Sequence, residues 1–332
     1  MSMDIMEQLQ IKAKANPKRV VLPEADEAKI LHAARQACDI GVAYPILIGR
    51  SETVSALAGS IGVYLDGITV VDHAEQEKVE HFASEYAKSN PDFPASAIKR
   101  MLKDPLNFAA MMVLLGEADC MVAGLAHTTG EVIMASEMII GLQEGISTVS
   151  SMVIASIPGY EGSEGNLLAF ADCVVCPAPE PNELADIAIS TADTVRSLMG
   201  WQPRVALLSF STKGSAGHES VDKVLEALEM VHERRPDLLI DGELQLDSAI
   251  VPEVAVKKVP GGSPVAGKAN ILIFPNLNAA NIGIKIIQRF AKGITYGGLQ
   301  GFAKPVGDLS RGSTVEEIVG AITMVVVYAQ SK

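Results

Sequence analysis

The chain has 332 residues, of which 48% are hydrophobic and 5% aromatic, and its 40 Asp and Glu residues outnumber 27 Lys and Arg residues, for a formal net charge of −13. That charge argues against a nucleic-acid-binding protein and against a polybasic membrane anchor, because both need a cationic surface. A small anionic ligand remains compatible, since a few Arg and Lys side chains can hold phosphate in an acidic protein. The length predicts two domains.

Mean hydropathy is +0.25, yet the apolar runs at residues 109–115 and 322–329 are shorter than the roughly 18–20 residues of a membrane span. The N-terminal segment is polar and lacks the apolar core of a signal peptide. Four cysteines do not form a disulfide framework. We therefore expect no membrane partner and a cytoplasmic location, and we attribute the apolar excess to parallel strands covered on both faces.

Short apolar runs alternate with helical patterns along most of the chain. Strands are predicted at residues 19–22, 43–48, 67–71, 120–123, 204–210, 239–240, 269–274 and 298–303. Helices are predicted at residues 25–40, 78–103 with a break near two prolines, 108–115, 220–234, onward from about 279, and 314–329. This alternation predicts an α/β protein with doubly wound sheets.

Two motifs resemble known sites but lack necessary parts. Cys173 and Cys176 form a C-x-x-C without a second ligand pair, so an apolar strand is favoured over a metal or redox site. Residues 262–268 match G-x-x-x-x-G-K, but Ala269 lacks the hydroxyl that binds Mg²⁺, and the strand follows the glycines instead of preceding them. We predict neither a metal site nor a nucleoside triphosphate site.

The helix that begins near Ala279 is a candidate anion site, because it follows a buried strand and has Asn276 as a candidate cap. Its helical spacing places four polar side chains on one face: Asn281, Lys285, Gln288 and Arg289. Another face is apolar and is expected to pack inward: Ile282, Ile286 and Phe290. Spacing alone leaves two interpretations open, a phosphate cradle and a solvated helix face.

A second candidate lies near the C-terminus. Gly312 permits a sharp turn in which Ser310 and Arg311 can present a hydrogen-bond donor and a bidentate cation to one oxyanion. Thr314 and Glu317 follow with the T-x-x-E spacing of a capping box. On spacing alone a cap is favoured for Glu317, and a general base is the alternative.

Two hydroxyl-rich turns follow predicted strands, where open α/β sheets bind ligands. One turn contains His127, Thr128 and Thr129, and the other contains Lys213. His127 can donate to a phosphate or a carbonyl, or it can be satisfied by neighbouring backbone. We list all four residues as candidates for substrate binding.

Several segments, taken together, resemble the phosphate acetyltransferase (phosphotransacetylase) family. They are DPLNFAAMMVLLGEADCMVAGLAHTT, LSFSTKGSAGHESV, DGELQLDSAIVP, GSPVAGKANILIFPNLNAANIGIKIIQR and KPVGDLSRG. The similarity extends from Arg19 to the C-terminus, and the IIGLQEG stretch is most similar to the ethanolamine-utilisation type.

The resemblance implies the reversible reaction of acetyl-CoA with phosphate to give acetyl phosphate and coenzyme A, a step of acetate metabolism. Coenzyme A is then a substrate, and no cofactor is expected. It also implies two domains similar to isocitrate and isopropylmalate dehydrogenases, with the active site in the interdomain cleft. Residues 1–146 plus 299–332 would form the first domain, and residues 147–298 the second, through which family members form homodimers.

The resemblance also assigns roles. Arg311 would bind phosphoryl oxygens, Ser310 would stabilise charge on the acyl oxygen, and Glu317 lies where the family has a carboxylate that accepts the thiol proton. The remaining matches line the substrate cleft: His127, Thr128, Thr129, Asn281, Lys285 and Arg289. This resemblance favours the catalytic role of Glu317 over the cap.

The sequence departs from the family in two places. Met134 stands where relatives usually carry Arg, and a second Arg upstream has no clear counterpart, Lys88 being the nearest cation. Losing a phosphate-binding Arg costs about 1.5–3 kcal/mol of charge-assisted hydrogen bonding. Two alternative hypotheses to phosphate acetyltransferase therefore stay open. One is a phosphate propionyl- or butyryltransferase, and the other is a non-catalytic module that senses acetyl-CoA.

Overall fold

The computed structural model describes residues 4–331, and these form two compact units. Unit 1 contains residues 4–141 and 302–331, and unit 2 contains residues 142–301. The chain therefore leaves unit 1 once and returns to it. The resemblance placed the corresponding boundaries after residues 146 and 298.

The first part of unit 1 contains α1 (Ile5–Ala15), β1 (Lys18–Leu22), α2 (Ala28–Asp39), β2 (Ala43–Ile48), α3 (Ser51–Ile61), β3 (Thr69–Val71), α4 (Gln76–Ser89), α5 (Ala95–Met101), α6 (Pro105–Leu114), β4 (Cys120–Ala123) and α7 (Thr129–Ile139). Unit 2 contains β5 (Ser150–Ser156), β6 (Leu167–Ala171), α8 (Pro181–Met199), β7 (Arg204–Leu208), α9 (Glu219–Arg234), β8 (Leu239–Leu244), α10 (Leu246–Ile250), α11 (Pro252–Lys258), β9 (Ile271–Ile273), α12 (Leu277–Phe290) and β10 (Ile294–Gln300). The chain then completes unit 1 with β11 (Val306–Asp308) and α13 (Val315–Ala329).

The sheet of unit 1 has five parallel strands in the order β11-β4-β1-β2-β3. All four residues of β4 are buried, as expected for a strand covered on both faces. Because β11, β4 and β1 are neighbours, the loops that follow them leave the same edge of the sheet. Those loops contain Ser310, His127 and Glu24.

The sheet of unit 2 is mixed, with the order β10-β5-β6-β9-β7-β8. Strands β6, β9, β7 and β8 are parallel, whereas β5 pairs antiparallel with both β6 and β10. The α/β class and the doubly wound pattern are confirmed. The prediction from sequence contained none of the following elements: β5, β6, β11, α3, α7 and the long helix α8.

Two predicted strands need correction. Residues 173–176 form a loop after β6, not a strand, because the buried carboxylate of Asp172 accepts hydrogen bonds from the main-chain N–H groups of Val174, Val175 and Cys176. Burial raises the pKa of Cys173 and of Cys176 to about 12, so both thiols are protonated at neutral pH. The strand predicted at 298–303 begins at Ile294 and ends at Gln300.

The apolar face of α12 was also predicted wrongly. Ile282, Ile286 and Phe290 are 59%, 49% and 84% exposed, and they do not pack inward. The buried residues of this helix are Ala280 and Ile284, which lie on the nearly opposite face. The helix therefore presents an uncovered apolar stripe, because its hydrophobic residues span more of its circumference than one sheet can cover.

Candidate functional site

The loop after β11 forms a tight turn around Ser310. Leu309 N–H donates to the Ala123 carbonyl at 2.8 Å, which extends the pairing of β11 with β4. Ser313 N–H donates to the Ser310 carbonyl at 2.9 Å, and Ser310 N–H donates to Ser313 Oγ at 3.2 Å. Arg311 lies at the exposed tip and makes no hydrogen bond or ion pair within residues 4–331. Its guanidinium is therefore available to an anionic ligand.

Glu317 forms the capping box that the spacing predicted. Its Oε2 accepts from the Thr314 main-chain N–H at 2.9 Å, and its own N–H donates to Thr314 Oγ1 at 3.2 Å. The box engages one carboxylate oxygen, and the side chain is otherwise exposed. The capping role is confirmed, and the role of a general base stays a prediction.

The loop after β4 is held by Glu24, a residue that sequence analysis missed. Oε1 of Glu24 accepts from the ring Nδ1 of His127 at 2.8 Å, and its two oxygens also accept four main-chain N–H groups of residues 124–127. Burial alone raises the pKa of Glu24, but these hydrogen bonds outweigh it and the net pKa is lowered. His127 is therefore satisfied by a carboxylate, and not by backbone.

The two threonines after His127 are also engaged within unit 1. Thr128 caps α7 in a capping box with Glu131, whose Oε2 accepts from the Thr128 N–H at 2.7 Å. Thr129 Oγ1 donates to Asp308 Oδ2 at 2.6 Å. Burial, with a smaller contribution from the charge of Glu24, raises the pKa of Asp308 to about 6. The other oxygen of Asp308 is buried and has no partner in the described chain.

In unit 2, Lys213 is anchored by its own domain. Its Nζ donates to the Gly242 carbonyl at 2.6 Å and pairs with Asp241 at 2.5 Å. The surrounding turn is bound to the buried Glu243, which accepts from Ser211 Oγ and Gly214 N–H, both at 2.8 Å. A substrate that binds Lys213 has to share it with the Asp241 carboxylate.

Helix α12 supplies two free cations. Asn276 caps the helix by accepting from Ala279 N–H at 3.0 Å, and Asn281 Nδ2 donates to the Cys173 carbonyl at 3.3 Å. Lys285 and Arg289 are exposed, and neither has a hydrogen-bond partner in the portion that the structure describes. The predicted polar face is thus solvent-facing, which suits both interpretations of this helix.

Met134 lies on α7 and is 63% exposed, so an Arg at this position would reach solvent freely. Within residues 4–331, no group of three or more His, Cys, Asp or Glu side chains is arranged to hold a metal ion. None of the helices described is long and apolar enough to cross a bilayer.

Glu24 and Asp308 had no predicted role, although Glu24 lies two residues after a buried strand and Asp308 ends one. Glu24 lies in LPE after β1, and Asp308 ends β11. An acidic residue at the carboxyl end of a buried parallel strand is the signal that could have identified both.

Comparison with known proteins gives consistent results. A family model described as phosphate acetyl/butaryl transferase matches residues 4–326. A phosphate acetyltransferase from Thermoanaerobacterium thermosaccharolyticum is 43% identical over 331 residues, covering 99% of this chain and 100% of the relative. The similarity between this chain and that relative therefore extends over nearly the whole of both.

Solved structures agree in fold. The EutD phosphotransacetylase from Staphylococcus aureus has a TM-score of 0.89 at 34% identity, covering 98% of this chain and 99% of the other. A phosphotransacetylase from Streptococcus pyogenes has a TM-score of 0.90 at 36% identity with full coverage of both. A 4-hydroxythreonine-4-phosphate dehydrogenase from Klebsiella pneumoniae, 10% identical, shares the fold with a TM-score of 0.54 over 95% of this chain and 98% of its own. The chain therefore belongs to the phosphate acetyl/butaryl transferase family of enzymes, with a fold shared by a dehydrogenase.

Proposed function

We propose that this chain is a phosphate acetyltransferase, which reversibly transfers an acetyl group between coenzyme A and phosphate. The observation that carries the proposal is the 43% identity, across 99% of the chain, to a protein named phosphate acetyltransferase. The exposed, unpaired Arg311 on its sharp turn is a suitable group for the phosphoryl end of such a substrate. Coenzyme A enters as a substrate, and the proposed reaction uses no cofactor.

The proposed step is direct attack of the thiolate of coenzyme A on the carbonyl carbon of acetyl phosphate in a ternary complex. The new S–C bond forms, the C–O bond to phosphorus breaks, and phosphate leaves with the bonding electrons. The thiol proton passes to a base, since a thiol with a pKa near 8.5 is mostly protonated at neutral pH. The reverse reaction follows the same steps backwards.

We assign the base to Glu317 and suggest that the cap and the base are compatible. The capping box uses Oε2 only, so Oε1 is left to accept the proton. Ser310 would donate its hydroxyl to the acyl oxygen, where negative charge develops during attack. Arg311 would bind the phosphoryl oxygens and stabilise the leaving phosphate.

The other predicted site residues would bind the substrates. We propose that Lys285 and Arg289, both unpaired, bind phosphate groups of coenzyme A, with Asn281 nearby on the same helix. Lys213 would contribute while still paired with Asp241. In unit 1, His127 would contact the substrates, and Thr128 and Thr129 would shape the loop that presents it.

We further propose a homodimer that covers the apolar stripe of α12. The stripe consists of Ile282, Ile286 and Phe290, which are mostly exposed in the single chain. Exposed apolar rows of this kind are typical of contacts between protein chains. A cytoplasmic location is proposed because all four cysteines are free thiols.

The test is thioester formation from coenzyme A with acetyl, propionyl and butyryl phosphate. The proposal predicts the highest kcat/KM with acetyl phosphate. A preference for propionyl or butyryl phosphate would instead support the longer-chain transferase. The comparison can detect such a preference, because one methylene changes the binding free energy of the transition state by about 1–3 kcal/mol. Direct attack also predicts no exchange of labelled phosphate into acetyl phosphate without coenzyme A. Such exchange would indicate an acyl-enzyme.

A further inference from the structure

Glu24 is the most completely engaged carboxylate in unit 1. It is 2% exposed and lies two residues after the end of β1. Its oxygens accept from the main-chain N–H groups of Gly124 at 3.1 Å, Leu125 at 2.9 Å, Ala126 at 2.9 Å and His127 at 3.0 Å. Four consecutive N–H groups that converge on one anion form the kind of backbone concavity that binds phosphate elsewhere. Here a side chain of the protein occupies it.

Only a glycine fits at the centre of this arrangement. Gly124 has a φ of +111°, and a Cβ at this position would lie 2.6 Å from Asp308 Oδ1. The Gly124 N–H therefore donates to Glu24 on one side of the loop, while Asp308 lies against the Cα of Gly124 on the other side. The loop after β4 is consequently fixed between the carboxyl ends of β1 and β11.

The same carboxylate defines the tautomer of His127. An ionised Glu24 is only an acceptor, so the Nδ1 atom of His127, at 2.8 Å, must carry the proton. The pKa of Glu24 is lowered, which keeps it ionised at neutral pH. The His127 side chain is 26% exposed, and Nε2 makes no hydrogen bond to the described residues. Nε2 is therefore the ring atom left for a ligand.

We propose that Glu24 is a positioning residue that fixes His127 as the Nδ1–H tautomer and thereby presents Nε2 as a hydrogen-bond acceptor to coenzyme A. Coenzyme A carries N–H and O–H groups that can donate to Nε2, whereas an ionised acyl phosphate has acceptor oxygens only. Because Glu24 uses the N–H groups of residues 124–127, the loop has none of these four to offer a phosphate. Recognition of a substrate by residues 124–127 then depends on one atom, Nε2 of His127. The inference rests on the proposed function, since it assumes that His127 contacts the substrate of that reaction.

The first test compares two replacements of His127. The side-chain amide of Gln reaches the position of Nε2 and can place its carbonyl oxygen there as the acceptor, whereas the amide of Asn reaches only the position of Nδ1. H127Q should therefore retain a kcat/KM for coenzyme A about tenfold higher than that of H127N, the factor expected for one hydrogen bond. Equal activities, or a more active H127N, would overturn the assignment of Nε2. Neither variant alters Glu24, so the comparison does not depend on how Glu24 variants fold.

The second test measures the tautomer without any activity. Full-length chain labelled with ¹⁵N-histidine is examined by long-range ¹H–¹⁵N correlation, and the signals missing in H127Q identify His127 among the six histidines. The wild type should show protonated Nδ1 when the ring is neutral, and E24Q should lose this fixed tautomer. E27Q is the matched control, because Glu27 lies close by on the same loop and its side chain makes no capping hydrogen bond within residues 4–331.

A wild type with protonated Nε2, or an unchanged tautomer in E24Q, would contradict the proposal. If the chain proves inactive with every acyl phosphate, the proposed function fails while the tautomer result still stands. If the chain is active but the tautomer is wrong, the positioning role alone fails. The two failures are therefore distinguishable.

Discussion

The main-chain N–H of Thr314 donates to Oε2 of Glu317 at 2.9 Å, while Glu317 N–H donates to Thr314 Oγ1 at 3.2 Å. This reciprocal pair satisfies two N–H groups that α13 cannot satisfy internally. It also holds a carboxylate at a fixed place, a few residues beyond the turn that presents Arg311. Structural and catalytic roles can therefore reside in one side chain, because each uses a different oxygen.

Two substitutions separate the roles of this pair. E317Q keeps a side-chain oxygen for the cap but cannot accept a proton, so kcat should fall by about a hundredfold or more with little change in Tm. T314A removes the cap and should lower the free energy of unfolding by about 1 kcal/mol, with most of kcat retained. Steady-state kinetics and urea denaturation measure both effects. Full kcat in E317Q would exclude Glu317 as the base.

Arg311 should be important for catalysis and unimportant for stability. The side chain is exposed and unpaired in the described chain, so R311A should leave Tm unchanged. Loss of charge-assisted hydrogen bonds to phosphate should lower kcat/KM for acetyl phosphate by about ten- to a hundredfold. R311K keeps the charge but loses the bidentate geometry, and it should recover only part of the activity. K304A, at an exposed cation seven residues earlier, serves as the control and should be unaffected.

The raised pKa of Asp308, about 6, predicts a specific pH dependence of stability. Below about pH 4 this carboxyl is protonated in both the folded and the unfolded chain and costs nothing. Between the ordinary value of 3.8 and the folded value of about 6, the unfolded chain has released this proton while the folded chain still holds it, so wild-type stability falls across this interval and levels off above it. D308N has no such loss. Its stability relative to wild type should therefore rise by about 1 kcal/mol between pH 4.5 and pH 7.5, after allowance for partial solvation.

Urea denaturation of both proteins at the two pH values measures this difference. Titrating groups that do not interact with Asp308 contribute equally to both proteins and cancel. A relative stability that does not change with pH, or that changes in the opposite direction, would refute the raised pKa.

The two free cations of α12 should act on coenzyme A. K285A and R289A should each raise KM for coenzyme A by about tenfold, with a smaller effect on KM for acetyl phosphate. The effect should weaken at high salt, because exposed charges are screened. K257A removes an exposed cation from α11 and is the control. Unchanged KM values in both variants would favour a solvated helix face, the alternative that spacing left open.

The apolar stripe of α12 predicts the assembly state. I286E places a charge in the middle of the stripe and should convert a dimer to monomers, as measured by sedimentation or light scattering. V256E, at an apolar residue of α11 that is 76% exposed, should leave the dimer intact. A wild type that is monomeric at micromolar concentration would refute the dimer directly.

The α/β class was predictable because buried parallel strands such as β4 are continuous apolar runs. The antiparallel strand β5 was not predicted and β10 was predicted only at its end, because a mixed sheet has no distinct signature in a single sequence. The cap of Glu317 followed from a four-residue spacing. The contact between Glu24 and His127 joins residues 103 positions apart, and no local pattern encodes it. The exposed stripe of α12 was misread because periodicity identifies apolar faces without telling which one the sheet covers.

The most direct measurement of the central claim is thioester formation from acetyl phosphate and coenzyme A by the purified chain, followed alongside R311A. The account predicts that wild-type enzyme converts coenzyme A to acetyl-CoA with release of one phosphate per thioester, and that R311A does so at least about tenfold more slowly at low acetyl phosphate. Absence of turnover by the wild type with every acyl phosphate, while it still binds coenzyme A, would contradict it.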